Sequence, residues 1–476
     1  MKTTLLFPLV SLLLALPPAL PTARAQFPTF PAADKVLGAP DLVTRGSAAN
    51  SPSGINSPIG VAIDPLTGKV FVASGDQNRI LRFANASSLA NGANAEAVFG
   101  QLNFSGTSEG STAPKFYYPC GIHVDAQGRL WVADSDNHRV LMFQGAATFV
   151  GLPDLVLGQP NFTTVTDAAS TTKMRRPQGV FVDAADNLWV ADSGNHRVLK
   201  FEDVSSLSNG AAASVVLGQP DFSTANQGTS AEMMAGPASA VVDATGRLWV
   251  SDEWNNRVLR FDNAATLGNG AAANGVLGQP DFTTSTAGLS ATNLHSPRGV
   301  ITDSAGTLYV SDLLNNRILF YKNPAAKSNG AAAEGVLGQP DFTTNSVPTT
   351  PTDRTLNRPE VGLVFDANGA LWVADSYYNR VLRFSPDRFA APPVVQGKVP
   401  KSTSKSSLAL RGSASDPGGV AQVRFRVGKG AFKTAGGTTS WRFTAKLKPG
   451  RNTIEIVTVD TLGNTSLAKK VTVTRQ

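Results

Sequence analysis

PQGVFVDAADNLWVADSGNHRVLKF, residues 177–201, is one of six versions of the same pattern. The copies begin at Pro58, Pro119, Pro177, Pro237, Pro297 and Pro359, roughly sixty residues apart. Segments that repeat in phase at such a period stack as equivalent units instead of folding around one irregular core. Each copy reads as three short strands. In the third these are the β-branched, apolar run 179–183, the run 188–192 that carries Trp189, and 197–201, where apolar and charged residues alternate. Gly68, Gly128, Gly246, Gly306 and Gly369 fall between the first two strands, where a tight turn needs positive φ; the third copy has Asp186 there.

A second motif supplies a fourth strand. It reads VLGQPNF from Val156, VLGQPDF from Val216, Val276 and Val336, and VFGQLNF from Val98. VLGAPDL at 36–42 precedes the first three-strand unit, whereas nothing similar follows the last. Four antiparallel strands repeated radially make a propeller blade. The offset of the two motifs predicts a six-bladed ring closed by the N-terminal strand, which leaves no open edge.

The flanks differ in character. Residues 1–25 combine Lys2, an apolar run and an Ala-Arg-Ala cleavage site, which predicts a secretory signal. The propeller is placed at 26–384 and a Pro-containing linker at 385–397. Residues 398–476 are expected to form a small β-sandwich, from alternating strands such as VRFRV (423–427) and WRFTAKL (441–447). Cys120 is the sole cysteine, so an internal disulfide is excluded, and it reads as a small, semi-buried hydrophobe. No later apolar run reaches membrane length.

Copies two to six resemble NHL repeats through P-x-G-V, the following Asp, and L-W-V-A-D-S-x-N-x-R-V-L. The tail is similar to bacterial Ig-like modules through Asp416, Gly419-Val420, Trp441, the Pro-Gly-Arg-Asn run 449–452, Asp460 and Gly463-Asn464. The fold class implied is all-β: a six-bladed NHL-type β-propeller followed by an Ig-like β-sandwich. NHL-type propellers include a zinc-dependent amidating lyase, related six-bladed propellers include calcium-dependent lactonases, and some intracellular NHL proteins bind RNA.

Slots filled in every copy read as architecture. Arg79, Arg139, Arg197, Arg257, Arg317 and Arg380 share one, and Asp134, Asp192, Asp252, Asp312 and Asp375 another, with Ser74 in the first copy. This set is expected to satisfy buried polar groups between neighbouring blades. His138 and His196 stand where Asn78, Asn256, Asn316 and Asn379 stand in the other copies, so they read as interchangeable hydrogen-bonding groups. With His123 and His295 scattered elsewhere, the spacing brings no three histidines together for zinc. Nucleophile and phosphate-loop motifs are absent. No cofactor is expected; calcium stays open because the single-copy acids Glu253 and Glu360 offer oxygen ligands.

Asymmetry carries the functional reading. Two residues after the repeat acid the ring reads Asp76, Asp136, Gly194, Trp254, Leu314 and Tyr377. Tyr378 adjoins Tyr377, and Phe116, Tyr117 and Tyr118 lie in a loop of the same face. Together with Arg298 these residues are the candidate surface for a protein, peptide or glycan. The long Thr-, Ser- and Asn-rich loops of this face suit adaptable hydrogen bonding.

Charge is segregated along the chain. The whole chain carries +7, but residues 391–476 hold fifteen Lys and Arg against three acids, a charge of +12 that leaves −5 for the rest. Alternation turns Arg424 and Arg426 outward on one strand and Arg442 and Lys446 on another. If those strands share a sheet, its outer face suits an anionic envelope polymer. The resulting expectation is a secreted, or periplasmic and envelope-associated, binding or scaffold protein. The alternative is a calcium-dependent lyase or hydrolase with its site in the propeller channel. Export and the negative charge of the propeller argue against RNA.

Overall fold

The computed structural model describes residues 27, 30–386, 393–416, 419–460, 465–466 and 468–476. The expected signal lies outside them, as do residues 387–392 of the linker and the Gly463-Asn464 pair. The chain divides into two units, one of which is Phe27–Pro386.

That unit contains six four-stranded antiparallel sheets. In the third blade the strands are Val180–Val182, Leu188–Asp192, Arg197–Phe201 and Val215–Leu217, in that order from the axis outward. Strands two and three are almost wholly buried because a neighbouring blade covers each face. Trp131 of the second blade packs on Val180, Val182 and Leu188 of the third, and its indole N–H donates to Asp125 Oδ2 at 2.8 Å. Trp189, Trp249 and Trp372 make the same bond to Asp183, Asp243 and Asp366; in the first copy, where Phe71 stands in the tryptophan slot, Asp64 accepts only from its own turn, from Leu66 N–H and the Thr67 hydroxyl.

The glycine two residues after the repeat proline follows from crowding at the axis. A Cβ on Gly60, Gly121 or Gly179 would lie 2.4, 2.4 or 2.6 Å from a carbonyl oxygen of the next blade's first strand. Four copies have glycine in this slot, and at those four the absent side chain allows the neighbouring first strand to approach so closely; Ser239 and Val361 occupy it in the fourth and sixth.

The ring closes as the motif count predicts. Lys35–Leu37 pairs antiparallel with Arg380–Phe384, with Val36 opposite Leu382. Val36 N–H donates to Asn91 Oδ1 of the first blade at 3.1 Å, as Val156, Val216 and Val276 donate to Asn209, Asn269 and Asn329. The sixth blade's outer strand is thus joined to its neighbour by the same bond as those of the second, third and fourth blades.

The repeat arginines correct one expectation. Arg139, Arg197, Arg257, Arg317 and Arg380 are fully buried, and each donates Nε–H to the aspartate of its own blade at 2.7–2.8 Å. Their remaining donors reach carbonyls of the long loops, such as Lys115 O and Ser111 O for Arg139. The ion pair therefore lies within a blade and fastens the loops around it; it does not bridge two blades. Every donor has to find an acceptor in a buried site, and irregular loops supply spare carbonyls. In the first blade Ser74 replaces the acid, and Arg79 Nε has no hydrogen-bond partner. Burial lowers the Arg79 pKa to about 10.

The second unit is a sandwich of two sheets. One holds Val394–Gln396, Ser407–Ser413 and Ser440–Lys446; the other holds Ser402–Thr403, Val420–Val427, Lys433–Thr434, Gly450–Asp460 and Lys469–Arg475. Between them Phe425 stacks on Phe443 at 3.7 Å, and Trp441 stacks on Phe443 at 5.6 Å. Among the described residues no helix is long and apolar enough to cross a membrane.

Candidate functional site

Two repeat slots meet at the mouth of the channel. The position after the repeat proline holds Ile59, Cys120, Gln178, Ala238, Arg298 and Glu360; the position after the repeat acid holds Gly75, Ser135, Ser193, Glu253, Leu313 and Ser376. Most of these are small or neutral. The exceptions fall in three successive blades and converge. Arg298 donates from Nε to Glu253 Oε1 at 3.1 Å and from Nη1 to Glu360 Oε2 at 2.7 Å. Glu253 and Glu360 are both buried, and Glu253 Oε2 has no hydrogen-bond partner. Burial works to lower the Arg298 pKa, but the carboxylates of Glu360 and Glu253 outweigh it and hold the guanidinium firmly charged. Burial pushes the Glu253 pKa up, and Arg298 opposes that shift.

The backbone under this triad is pinned. Ser311 Oγ donates to Glu360 O at 2.8 Å, and Ser251 Oγ donates to Arg298 O. The other four copies have alanine in this strand-two slot: Ala73, Ala133, Ala191 and Ala374. The two serines therefore accompany the two charged residues and were a readable signal that sequence reasoning missed.

Beside the triad opens a cavity of about 500 Å³ lined by Tyr118, Cys120, Gln178, Ser193, Glu253 and Trp254, among others. Cys120 is buried, with its thiol pKa pushed up to about 12 by burial, so it contributes surface instead of a reactive thiolate. Trp254 is 50% exposed and lies 5.2 Å from the His196 ring. The other five tryptophans are at most 1% exposed.

Of the face candidates, Tyr118, Trp254 and Arg298 line this cavity and the others do not. Tyr377 is 53% exposed, but Arg45 and Arg358 stand over its ring at 5.0 and 5.7 Å. Tyr117 is exposed, while Leu314 and Tyr118 are half-buried. Two expectations are corrected. Phe116 is fully buried, because it fills the core slot held in the other copies by Ile55, Met174, Met234, Leu294 and Leu356. Tyr378 is also buried; it takes the place of Asn137, Asn195, Asn255 and Asn315, its hydroxyl donates to Pro348 O, and Arg380 lies over its ring at 5.1 Å.

The histidines of the repeat slot behave as hydrogen-bonding groups. His138 Nδ1 accepts from Arg176 N–H and His196 Nδ1 from Gly236 N–H, both at 3.1 Å. Asn78, Asn256 and Asn316 accept equivalent bonds through Oδ1. Burial lowers the pKa of both histidines, which keeps Nδ1 available as an acceptor.

The residues present do not fit calcium. One oxygen each of Glu253 and Glu360 already faces a guanidinium. The channel below, about 110 Å³, is walled by the first strands through residues such as Val61, Ile122, Val180, Val241, Ile301 and Leu363. No carboxylate lines it among the described residues. The channel therefore lacks the charged oxygen ligands on which calcium sites are built.

In the C-terminal unit the cationic candidates separate. Arg424 and Arg426 lie on the five-stranded sheet, where Arg426 donates to Glu455 Oε2 at 2.7 Å and both guanidinium groups stand over Phe432. Arg442 and Lys446 lie on the three-stranded sheet. The single cationic face expected from alternation does not exist, because the two strands pair with different partners. The three-stranded sheet has its own basic row instead: Arg411 pairs directly with Arg442, and both are exposed. Its three strands contain no acid.

The family model for the Teneurin NHL domain matches residues 53–320, and that for a bacterial Ig domain matches 393–456. Among solved structures, the chain is similar to a virginiamycin B lyase from Staphylococcus aureus, at 14% identity over 70% of this chain and 96% of that one, with a TM-score of 0.40. It is also similar to the extracellular domain of a hybrid two-component system from B. thetaiotaomicron, at 13% identity over 92% and 58% of the two chains, TM-score 0.41. A third likeness is to a chain of a nidogen/laminin complex, at 15% identity over 60% and 85%, TM-score 0.37. Likenesses this distant assign nothing to the site. The sixfold repeat and the family match agree, and the chain belongs to the Teneurin NHL domain family, with a bacterial Ig domain after the propeller.

Proposed function

We propose that this is a secreted or envelope-associated binding protein that presents the loop face of its propeller to a peptide or glycan. The observation that carries the reading is Trp254: a half-exposed indole on the wall of a polar cavity, in a chain that buries every other tryptophan. Exposed aromatic residues beside a preformed cavity are the usual anchors of recognition. Trp254→Ala is expected to weaken ligand binding by about 2 kcal/mol without moving the melting temperature. Tyr377→Ala is expected to cost less, since Arg45 and Arg358 already cover its ring. Peptide and glycan arrays probed with the wild type and both variants check this. Early melting of Trp254→Ala would identify the side chain as core and remove the site.

The Ig-like unit is proposed as an attachment module for an anionic polymer. Like charges placed directly opposite each other across a sheet destabilise it, and an anion lying across Arg411 and Arg442 relieves that repulsion. Binding of the full chain to heparin or lipopolysaccharide is expected to weaken steeply above about 0.1 M salt, where the Debye length falls below about 10 Å. The double change Arg411→Ser/Arg442→Ser should abolish most of it. Retention unaffected by salt or by that double change would refute the attachment role.

A further inference from the structure

Resting on the loop-face reading above, we infer that the cavity beside Trp254 takes an uncharged sugar ring. The argument begins with Glu253 Oε2, an acceptor without a partner on a residue that is only 5% exposed. Buried acceptors are nearly always satisfied, and an ionised carboxylate can only accept, so this oxygen calls for a ligand that donates. The residue bonded to the other oxygen of this carboxylate carries a spare donor. Arg298 binds carboxylates through Nε and Nη1, and its Nη2 makes no hydrogen bond among the described residues.

A spare donor on Arg298 and a spare acceptor on Glu253, two residues already joined by an ion pair, match a pair of hydroxyl groups, each of which can do both. Charge narrows the class further. Arg175 and Arg176 are matched by Asp167 at 3.2 Å and Asp136 at 2.8 Å, and Arg298 by two carboxylates, so the surroundings are slightly negative. An anionic ligand would meet that excess and leave the Glu253 oxygen unsatisfied. An ammonium group would have to sit against the Arg298 guanidinium.

The shape of the lining points the same way. The wall contributed by Trp254 is flat and apolar, whereas Gln178, Ser135, Ser193 and Glu253 offer amide, hydroxyl and carboxylate groups. Sugar rings have the complementary division, with C–H groups on a face and hydroxyls around the edge. The volume of about 500 Å³ lies within the usual range for small-ligand pockets.

Intrinsic fluorescence reads the site directly, because Trp254 is the one tryptophan that solvent and ligand can reach. The full chain would be titrated with neutral mono- and disaccharides, with the corresponding uronic acids and amino sugars, and with short peptides. Calorimetry would accompany each titration. The expected result is a saturable change in emission with a neutral saccharide. Trp254→Ala should lose it, and Trp254→Phe should retain part of the binding heat. Glu253→Gln should weaken affinity by about tenfold, the effect of one charge-assisted hydrogen bond. Gln178→Ala provides a second test on the polar side should Glu253→Gln melt early. If peptides or charged sugars bind through Trp254 and neutral sugars do not, the sugar assignment is overturned while the binding face stands. Binding that neither Trp254→Ala nor Gln178→Ala affects, or no binding by any class, overturns both.

Discussion

Deleting residues 26–45 is expected to abolish the cooperative melting transition of the propeller or to send the protein into aggregates. The segment contains Val36, Leu37 and Ala39, all at most 2% exposed. It also supplies the strand that covers Arg380–Phe384. Full burial of a Val or Leu side chain is worth about 1.5–3 kcal/mol. Losing two, with the three-residue ladder and the bond from Arg380 Nη1 to Leu42 O, removes a large share of a typical stability of about 5–15 kcal/mol. The exposed edge is then a template for intermolecular pairing. Circular dichroism melts with size-exclusion chromatography check this. An unchanged transition would show that the ring is not held by this strand.

The second large effect is expected at the buried ion pairs. Asp312→Ala leaves Arg317 fully buried with its Nε–H unsatisfied, and truncating one partner of such a pair costs about 3–5 kcal/mol. The first blade is a natural comparison, because Ser74 already leaves Arg79 in that state, with only Gln77 Oε1 and carbonyl groups as acceptors. Installing the common arrangement there, Ser74→Asp with Gln77→Asn, should raise stability by about 1–3 kcal/mol. Chemical denaturation of both variants decides the matter. If Asp312→Ala is neutral, the arginine is held by loop carbonyls alone.

The architecture was legible because its information is local and repeated. Each copy spells its own turn and strands, and the offset between VLGAPDL and the later motifs specifies the closure that Val36 and Leu382 make. The site was less legible for two reasons. Exposure was read from residue type at Phe116, although the apolar occupants of its slot in the other copies mark it as interior; at Tyr378 the other occupants are Gln77 and asparagines, whose burial shows only in the structure. The triad is also assembled over distance: Glu253 and Glu360 lie 45 and 62 positions from Arg298. Only superposing the copies and asking where they depart brings these residues together. In the Ig-like unit alternation gave the facing of each strand. Sheet membership depends on long-range pairing, of Val420–Val427 with Gly450–Asp460 and of Ser440–Lys446 with Ser407–Ser413.

The closing strand has a consequence for how the molecule is made. Asp34 and Arg383 meet across 349 positions, so the first strand of the ring to be synthesised is the last to be placed. Joining ends that far apart costs roughly 2–3 kcal/mol more than closing a loop of about twenty residues. Until the sixth blade exists, the N-terminal strand has no partner and the nascent propeller stays an open arc. During that interval the vacant edge accepts an identical strand from a second chain as readily as its own. Dilution therefore favours the monomeric ring, and crowding during refolding favours strand-exchanged pairs.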